Sequence, residues 1–192
     1  MENKSKNRIM DAALQVFVSK GYSDTRMDDI VEMSGLSKGA IYHHYKSKKD
    51  LFISLIEHWE NFSFPNIFDK DLDKISSADA LRAIVNDIVI TFKKNKHVFL
   101  AELEFWSLAN HDEDVRLKTK SLYVKLLNLF KNIIIKGIDR GEFKKIDKNI
   151  GALSIMTSIQ GVIWFSIFEE SKLSAEIYLN EVIEFIIKGF EK

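Results

Sequence analysis

Apolar residues recur along this chain at intervals of three and four, the spacing that gathers them on one side of an α-helix. From about Lys6 to Lys20, Ile9, Ala12, Ala13, Val16 and Phe17 share such a face, and Gly21 is placed to end the helix. A short second helix is predicted from Thr25, a good N-cap with Asp28 in the first turn that favours acids. It turns Ile30, Val31 and Met33 inward before Gly35 breaks it. Ser37 caps a third helix, which carries Ala40, Ile41 and Tyr45 toward a core. A fourth begins near Ser47 and Lys48, with the row Leu51, Phe52, Leu55, Ile56 and Trp59. It stops before Pro65, whose ring disfavours helical geometry in the residue ahead of it.

Residues 65–76 read as a polar connection, and beyond it helical patterns follow at 76–95, 97–110, 113–140, 147–170 and 174–190. Gly137 and Gly141 mark the end of the third of these, and Ser174 is a cap for the last. Strand signals are almost absent, so the fold class is all-α. Ile150 to Phe168 carries no charge and is nearly long enough to span a bilayer. Its Ser154, Thr157, Ser158, Gln160 and Ser166 favour a buried or subunit-interface helix instead. The final helix is apolar over more than one face, through Ile177, Leu179, Val182, Ile183, Phe185, Ile186, Ile187 and Phe190. Such an excess points to an interface.

Composition narrows the possibilities. At 192 residues and 46% apolar the chain can bury a substantial core. The absence of Cys removes disulfides, thiol nucleophiles and thiolate metal sites. The N-terminus is polar with no apolar leader segment, so a cytoplasmic location is expected. The 28 basic and 28 acidic residues cancel, which argues against indiscriminate attraction to polyanions. Residues 1–50 hold nine Lys/Arg against seven Asp/Glu, so any nucleic-acid surface must be local. No paired Glu-x-x-His, glycine-rich phosphate loop or G-x-S-x-G elbow occurs, so no enzyme activity and no cofactor are expected. His43 and His44, as helix neighbours, point about 100° apart, and no metal site is expected there.

The chemistry is concentrated in Thr25 to Lys48, TRMDDIVEMSGLSKGAIYHHYKSK, two short helices about a Gly turn with a Tyr, His and Lys exit. Short helices bury little, so the value of the second lies in what it presents. With FVSKGY before it and KDLF after it, this ordered series resembles the N-terminal domain of the TetR family of bacterial transcriptional regulators. The resemblance covers about residues 8–56 and implies a helix-turn-helix whose second helix, starting at Ser37, lies in the major groove. Lys38 can reach guanine O6/N7 or a phosphate, while Gly39 and Ala40 allow close approach and the Ala40 methyl can meet a thymine methyl. By similarity to the family, Tyr42 and Lys48 contact phosphates and His43 lies at the groove edge. Thr25 and Arg26 reach the backbone or nearby base edges, and Lys46 adds a charge contact. His44 is left without a role, because it can turn back toward the protein.

By function the chain is expected to divide into residues 1–50, the DNA-binding domain, and 51–192, a helical effector-binding and dimerisation domain. The helix at 48–63 serves both. An effector of unknown identity, apolar or amphipathic, would lie against Phe92, Phe99, Phe105, Trp106, Tyr123, Phe130, Gln160 and Trp164, aromatics with a polar group among them. Asn86, Glu102, Asn128 and Thr157 also fall on or near apolar faces. Helices 147–170 and 174–190, paired with their copies, would make a homodimer by a four-helix bundle and set two recognition helices one DNA turn apart on a palindromic operator. The expected protein is thus a repressor released from DNA by its effector. The alternatives are a helical-bundle enzyme and a helix-turn-helix used for protein contact.

Overall fold

The computed structural model describes residues 2–63, 74–166 and 174–192. Pro65, Phe168, most of the 65–76 connection and the end of the helix predicted over 147–170 lie outside them. The described residues form helices α1 (Glu2–Asp24), α2 (Met27–Ser34), α3 (Lys38–His44), α4 (Lys48–Ser63) and α5 (Ser77–Lys94). After these come α6 (Lys96–Ala109), α7 (Glu113–Asp139), α8 (Lys148–Phe165) and α9 (Ala175–Phe190). The fold is all-α, and among the described residues an isolated bridge joins Phe143 and Glu191.

The chain separates into two compact units. The first comprises Met1–Phe62 and Asn95–Leu122, so α4, α6 and the start of α7 join the N-terminal helices; the second comprises Ser63–Lys94 and Tyr123–Lys192.

In the first unit the predicted α1 face is fully buried, and so is the α4 row from Leu51 to Trp59. An edge-to-face series of rings runs through it: Phe17 meets Phe52 at 5.1 Å, and Phe52 meets Phe105 at 5.4 Å. The Trp59 indole donates to the Val98 carbonyl at 2.7 Å and its ring packs on Phe99, which fixes α6 to α4. Phe99 and Phe105, expected beside an effector, are therefore core residues of this unit. Met33, expected inward, is 52% exposed, because α2 is short and its inner face is narrow enough for Ile30 to fill.

In the second unit α9 packs its Leu179, Ile183 and Ile187 row inward, and α8 does the same with Ala152, Ile155, Met156, Ile159 and Ile163. Gly137 is required here by close approach: a Cβ would lie 2.3 Å from the Phe143 ring. Caps are made locally, by the Asp147 carboxylate on Asn149 N and Ile150 N and by the Ser174 hydroxyl on Ile177 N. Among the described residues no helix is long and apolar enough to cross a membrane. The uncharged stretch from Ile150 instead forms α8, half in the core and half outside it.

Candidate nucleic-acid interface

The turn between α2 and α3 is built on Gly35. It takes φ 62°, ψ 22°, and its N–H reaches the Val31 carbonyl at 3.1 Å, closing α2 in the left-handed conformation that glycine adopts freely. The Arg8 guanidinium on α1 donates to the Ser34 carbonyl at 2.6 Å, and a Cβ on Gly35 would come within 3.2 Å of that guanidinium. Ser37 caps α3 by accepting from Ala40 N at 3.2 Å, as its type and position predicted.

The cap of α2 differs from the expectation. Arg26, not Thr25, holds the N-cap position, and its N–H donates to the Asp29 carboxylate at 2.7 Å. That carboxylate also accepts from Lys20 at 2.7 Å. The Lys20 hydrogen bond is the main cause of a pKa below the ordinary aspartate value, with the Arg26 N–H adding to it. Thr25 is buried, and its hydroxyl donates to the Gly21 carbonyl at 2.7 Å. Gly21 has φ 76°, ψ 160°, a sharp break in the last turn of α1, and the Thr25 hydroxyl ties off the carbonyl that the break releases.

Lys48 is likewise held within the protein. Its ammonium donates to the carbonyls of Tyr22 at 2.6 Å, Ser23 at 3.1 Å and Thr25 at 2.7 Å, and lies 4.5 Å over the Tyr22 ring. The Tyr22 and Ser23 carbonyls close α1 just past the break at Gly21 and the Thr25 carbonyl follows it, so a cation is the natural partner of this cluster of carbonyl oxygens. Burial pushes the Lys48 pKa below the ordinary lysine value, with Asp24 and Asp29 opposing. The same segment is held from α6, where the Glu104 carboxylate accepts from Tyr22 N at 2.9 Å. Beside it, Lys49 bridges Asp112 at 2.8 Å and Asp114 at 2.7 Å at the start of α7, which pushes its own pKa up and that of Asp112 down. None of these long-range clasps has a local sequence signature; the partners stand 23 to 82 residues apart.

With those groups committed inside, the outer face of α2 and α3 can be read directly. Arg26, Ser37, Lys38, Gly39, Tyr42, His43 and Lys46 are exposed, and Ala40 and His44 are partly covered. Ile41 and Tyr45 point the other way into the core. Gly39 has nothing within 4 Å of where a Cβ would stand, so the middle of the exposed face is low and open. Small residues flanked by donors are what a helix needs to lie against base edges.

Residues 9–55 match the family described as bacterial regulatory proteins, tetR family. The fatty acid metabolism regulator protein of Bacillus subtilis is 24% identical over 95% of this chain and 93% of its own length. Among solved structures, the TetR family transcriptional regulator PfmR from Thermus thermophilus is 25% identical over 96% of this chain and 100% of its own. Its TM-score is 0.76. Residues 9–55 thus carry the tetR-type regulatory domain, and the chain is similar to TetR-family regulators over nearly its whole length. A FadR from Bacillus subtilis, solved in complex with stearoyl-CoA, shares the fold at TM-score 0.80 and 22% identity, covering 96% of this chain and 98% of that one. By these matches the protein is a DNA-binding transcriptional regulator, and the two-helix face just described is its helix-turn-helix.

The remaining side chains expected to line an effector site divide between the units. Trp106 is half-buried in the first; Phe92, Tyr123, Phe130, Gln160 and Trp164 belong to the second. Gln160 and Phe130 are buried, and the buried Trp164 indole nitrogen has no acceptor among the described residues. Of the polar residues predicted near apolar faces, Glu102 is also buried. Asn86, Asn128 and Thr157 face outward, the last with its hydroxyl on the Leu153 carbonyl at 2.8 Å.

Proposed function

We propose that this protein is a homodimeric repressor that leaves a palindromic operator when an amphipathic effector binds. The observation that carries the DNA reading is the open, donor-flanked face of α3, backed by an α2–α3 turn clamped to α1. Arg26, Ser37, Lys38, Gly39, Ala40, Tyr42, His43 and Lys46 form that face. Lys48 and Thr25 act behind it, fixing the end of α1 rather than reaching the DNA.

Dimerisation is supported by apolar side chains that the second unit leaves outside. Phe185 is 80% exposed, Phe165 70% and Ile150 67%, with Leu153 and Ile177 beside them along α8 and α9. Large side chains in such number on adjacent helices fit a subunit interface. Gly161 and Gly189 have nothing within 4 Å of a Cβ and would admit a partner helix closely.

The effector site is proposed among Phe92, Tyr123, Phe130, Gln160 and Trp164. An aromatic lining with an amide and an indole N–H in want of an acceptor suits an apolar chain ending in a polar group. Stearoyl-CoA, held by the FadR of similar fold, is the first compound to try. Release would follow from tighter binding to the conformation that fits DNA poorly, typically a coupling of about 1–3 kcal/mol. The test is fluorescence polarisation on a duplex enriched by the protein from a random library, with stearoyl-CoA titrated in. Dissociation from the duplex together with a rise in thermal midpoint is expected. Unchanged DNA binding and midpoint across stearoyl-CoA and a panel of shorter amphiphiles would contradict the effector reading.

A further inference from the structure

Asp28 is out of place on a surface that faces a polyanion. It stands in the first turn of α2, where Asp29 already caps the helix through Arg26 N. Its carboxylate is instead turned to Lys38, the first residue of α3, at 2.6 Å, and the two side chains are 70% and 60% exposed. The hydrogen bond from Lys38 to Asp28 raises the lysine pKa, so the ammonium stays charged while paired.

We propose that Asp28 and Lys38 act as one donor–acceptor pair that reads a single G·C base pair in each operator half-site. The proposal rests on α3 entering the major groove. Near phosphates a lone carboxylate is repelled, and it is tolerated only against a base donor, which in this groove means cytosine N4 or adenine N6. The ammonium seeks guanine O6 and N7. In a G·C pair, O6 and N4 are joined by their own hydrogen bond and so lie about 2.9 Å apart. That spacing is close to the 2.6 Å between Lys38 Nζ and Asp28 Oδ1. One lysine proton can remain on Asp28 while the others meet O6 and N7, and the free aspartate oxygen accepts from N4. An A·T pair offers a donor and an acceptor at similar spacing. It puts only thymine O4 before the ammonium, with a methyl group alongside, so G·C is preferred. Asp28 thus acts as a specificity determinant whose charge demands a base donor, while the ammonium's preference for O6 and N7 decides for G·C over A·T.

Selection from a random duplex library tests this with the wild type, Asp28→Asn, Lys38→Met and the double variant, each checked by circular dichroism. The wild type is expected to fix G·C at one position per half-site by about fivefold or more over other pairs. Asp28→Asn and Lys38→Met should both relax that same position and leave the others fixed, and the double variant should relax it no further. Relaxation at two different positions, or an Asp28→Asn profile identical to wild type, overturns the pair. If the wild type itself enriches nothing, the DNA reading of the α3 face falls, and the pair with it.

Discussion

The exposed face of α2 and α3 and the exposed faces of α8 and α9 handle their surfaces in opposite ways. On α3 every large apolar side chain is turned inward, and what remains outside is small or hydrogen-bonding: Ser37, Lys38, Gly39, Tyr42, His43. On α8 and α9 the inward row is already complete, yet Phe165 and Phe185 still stand outside. The first surface suits a wet, charged partner and the second a dry one. The charges differ as well. Lys38 and Lys20 on the first unit are already paired with Asp28 and Asp29, so this face, in a chain with no net charge, offers little bulk attraction to DNA. In the proposed dimer affinity comes from doubling the reader, which makes the apolar surface a condition of the polar one.

The sharpest way to break this dependence is to charge the dry surface alone. The variant Phe165→Glu/Phe185→Glu should remain helical but sediment as a monomer, and its operator affinity should drop by about 100-fold or more as avidity is lost. A monomer that bound as tightly as wild type would separate the two surfaces. The next contrast lies between two lysines only two positions apart. Lys46→Ala should weaken binding to all sequences and lower the slope of log affinity against log salt by about 1. Lys48→Met should lower the thermal midpoint and weaken binding without changing that slope, because its ammonium is held by carbonyls at the end of α1 and of Thr25 just after it. A smaller effect is expected of Tyr42→Phe, a loss of about 1 kcal/mol or less on every duplex, measured by polarisation.

Smallest is the response to acid. Asp29, Asp112 and Asp11 all have lowered pKa values, through Lys20, Lys49 and His97 respectively. A folded-state pKa below the unfolded one means stability that is complete above the ordinary carboxylate range and is lost as pH falls through the lowered values. The thermal midpoint should therefore hold from neutral pH to about pH 5 and decline below about pH 4. Asp29→Asn and Asp112→Asn should each flatten that decline.

Much of this was legible because the signals were local. The i, i+3, i+4 rows on α1 and α4, the Ser37 cap and the Gly35 turn depend on residues within one or two turns of each other, and the structure has them as the pattern implied. The excess apolar residues of α9 were also visible, since its buried row needs only Leu179, Ile183 and Ile187. What could not be read was where each polar atom ends. Thr25 has the right type for a cap, but the break at Gly21 one turn earlier leaves a carbonyl that claims its hydroxyl. Lys48 has the right type for a phosphate, but its reach and position put it on the open end of α1. Glu104 and Asp112 meet their partners only after α6 and α7 are packed. Phe99 and Phe105 pack on Trp59 and Phe52, neighbours in space that periodicity along the chain does not reveal.

The central claim, that the open face of α3 meets DNA, can be tested with one substitution that spares the fold. Gly39 is the second residue of α3, on that face with free space around its Cβ position, so Gly39→Glu is accommodated and, as an acid in the first turn, favours the helix. It also sets a carboxylate where the phosphates and base edges would lie. Binding of wild type and Gly39→Glu to the same enriched duplex should differ by about 100-fold or more at an unchanged or higher thermal midpoint. Equal affinities at equal stability would contradict the account.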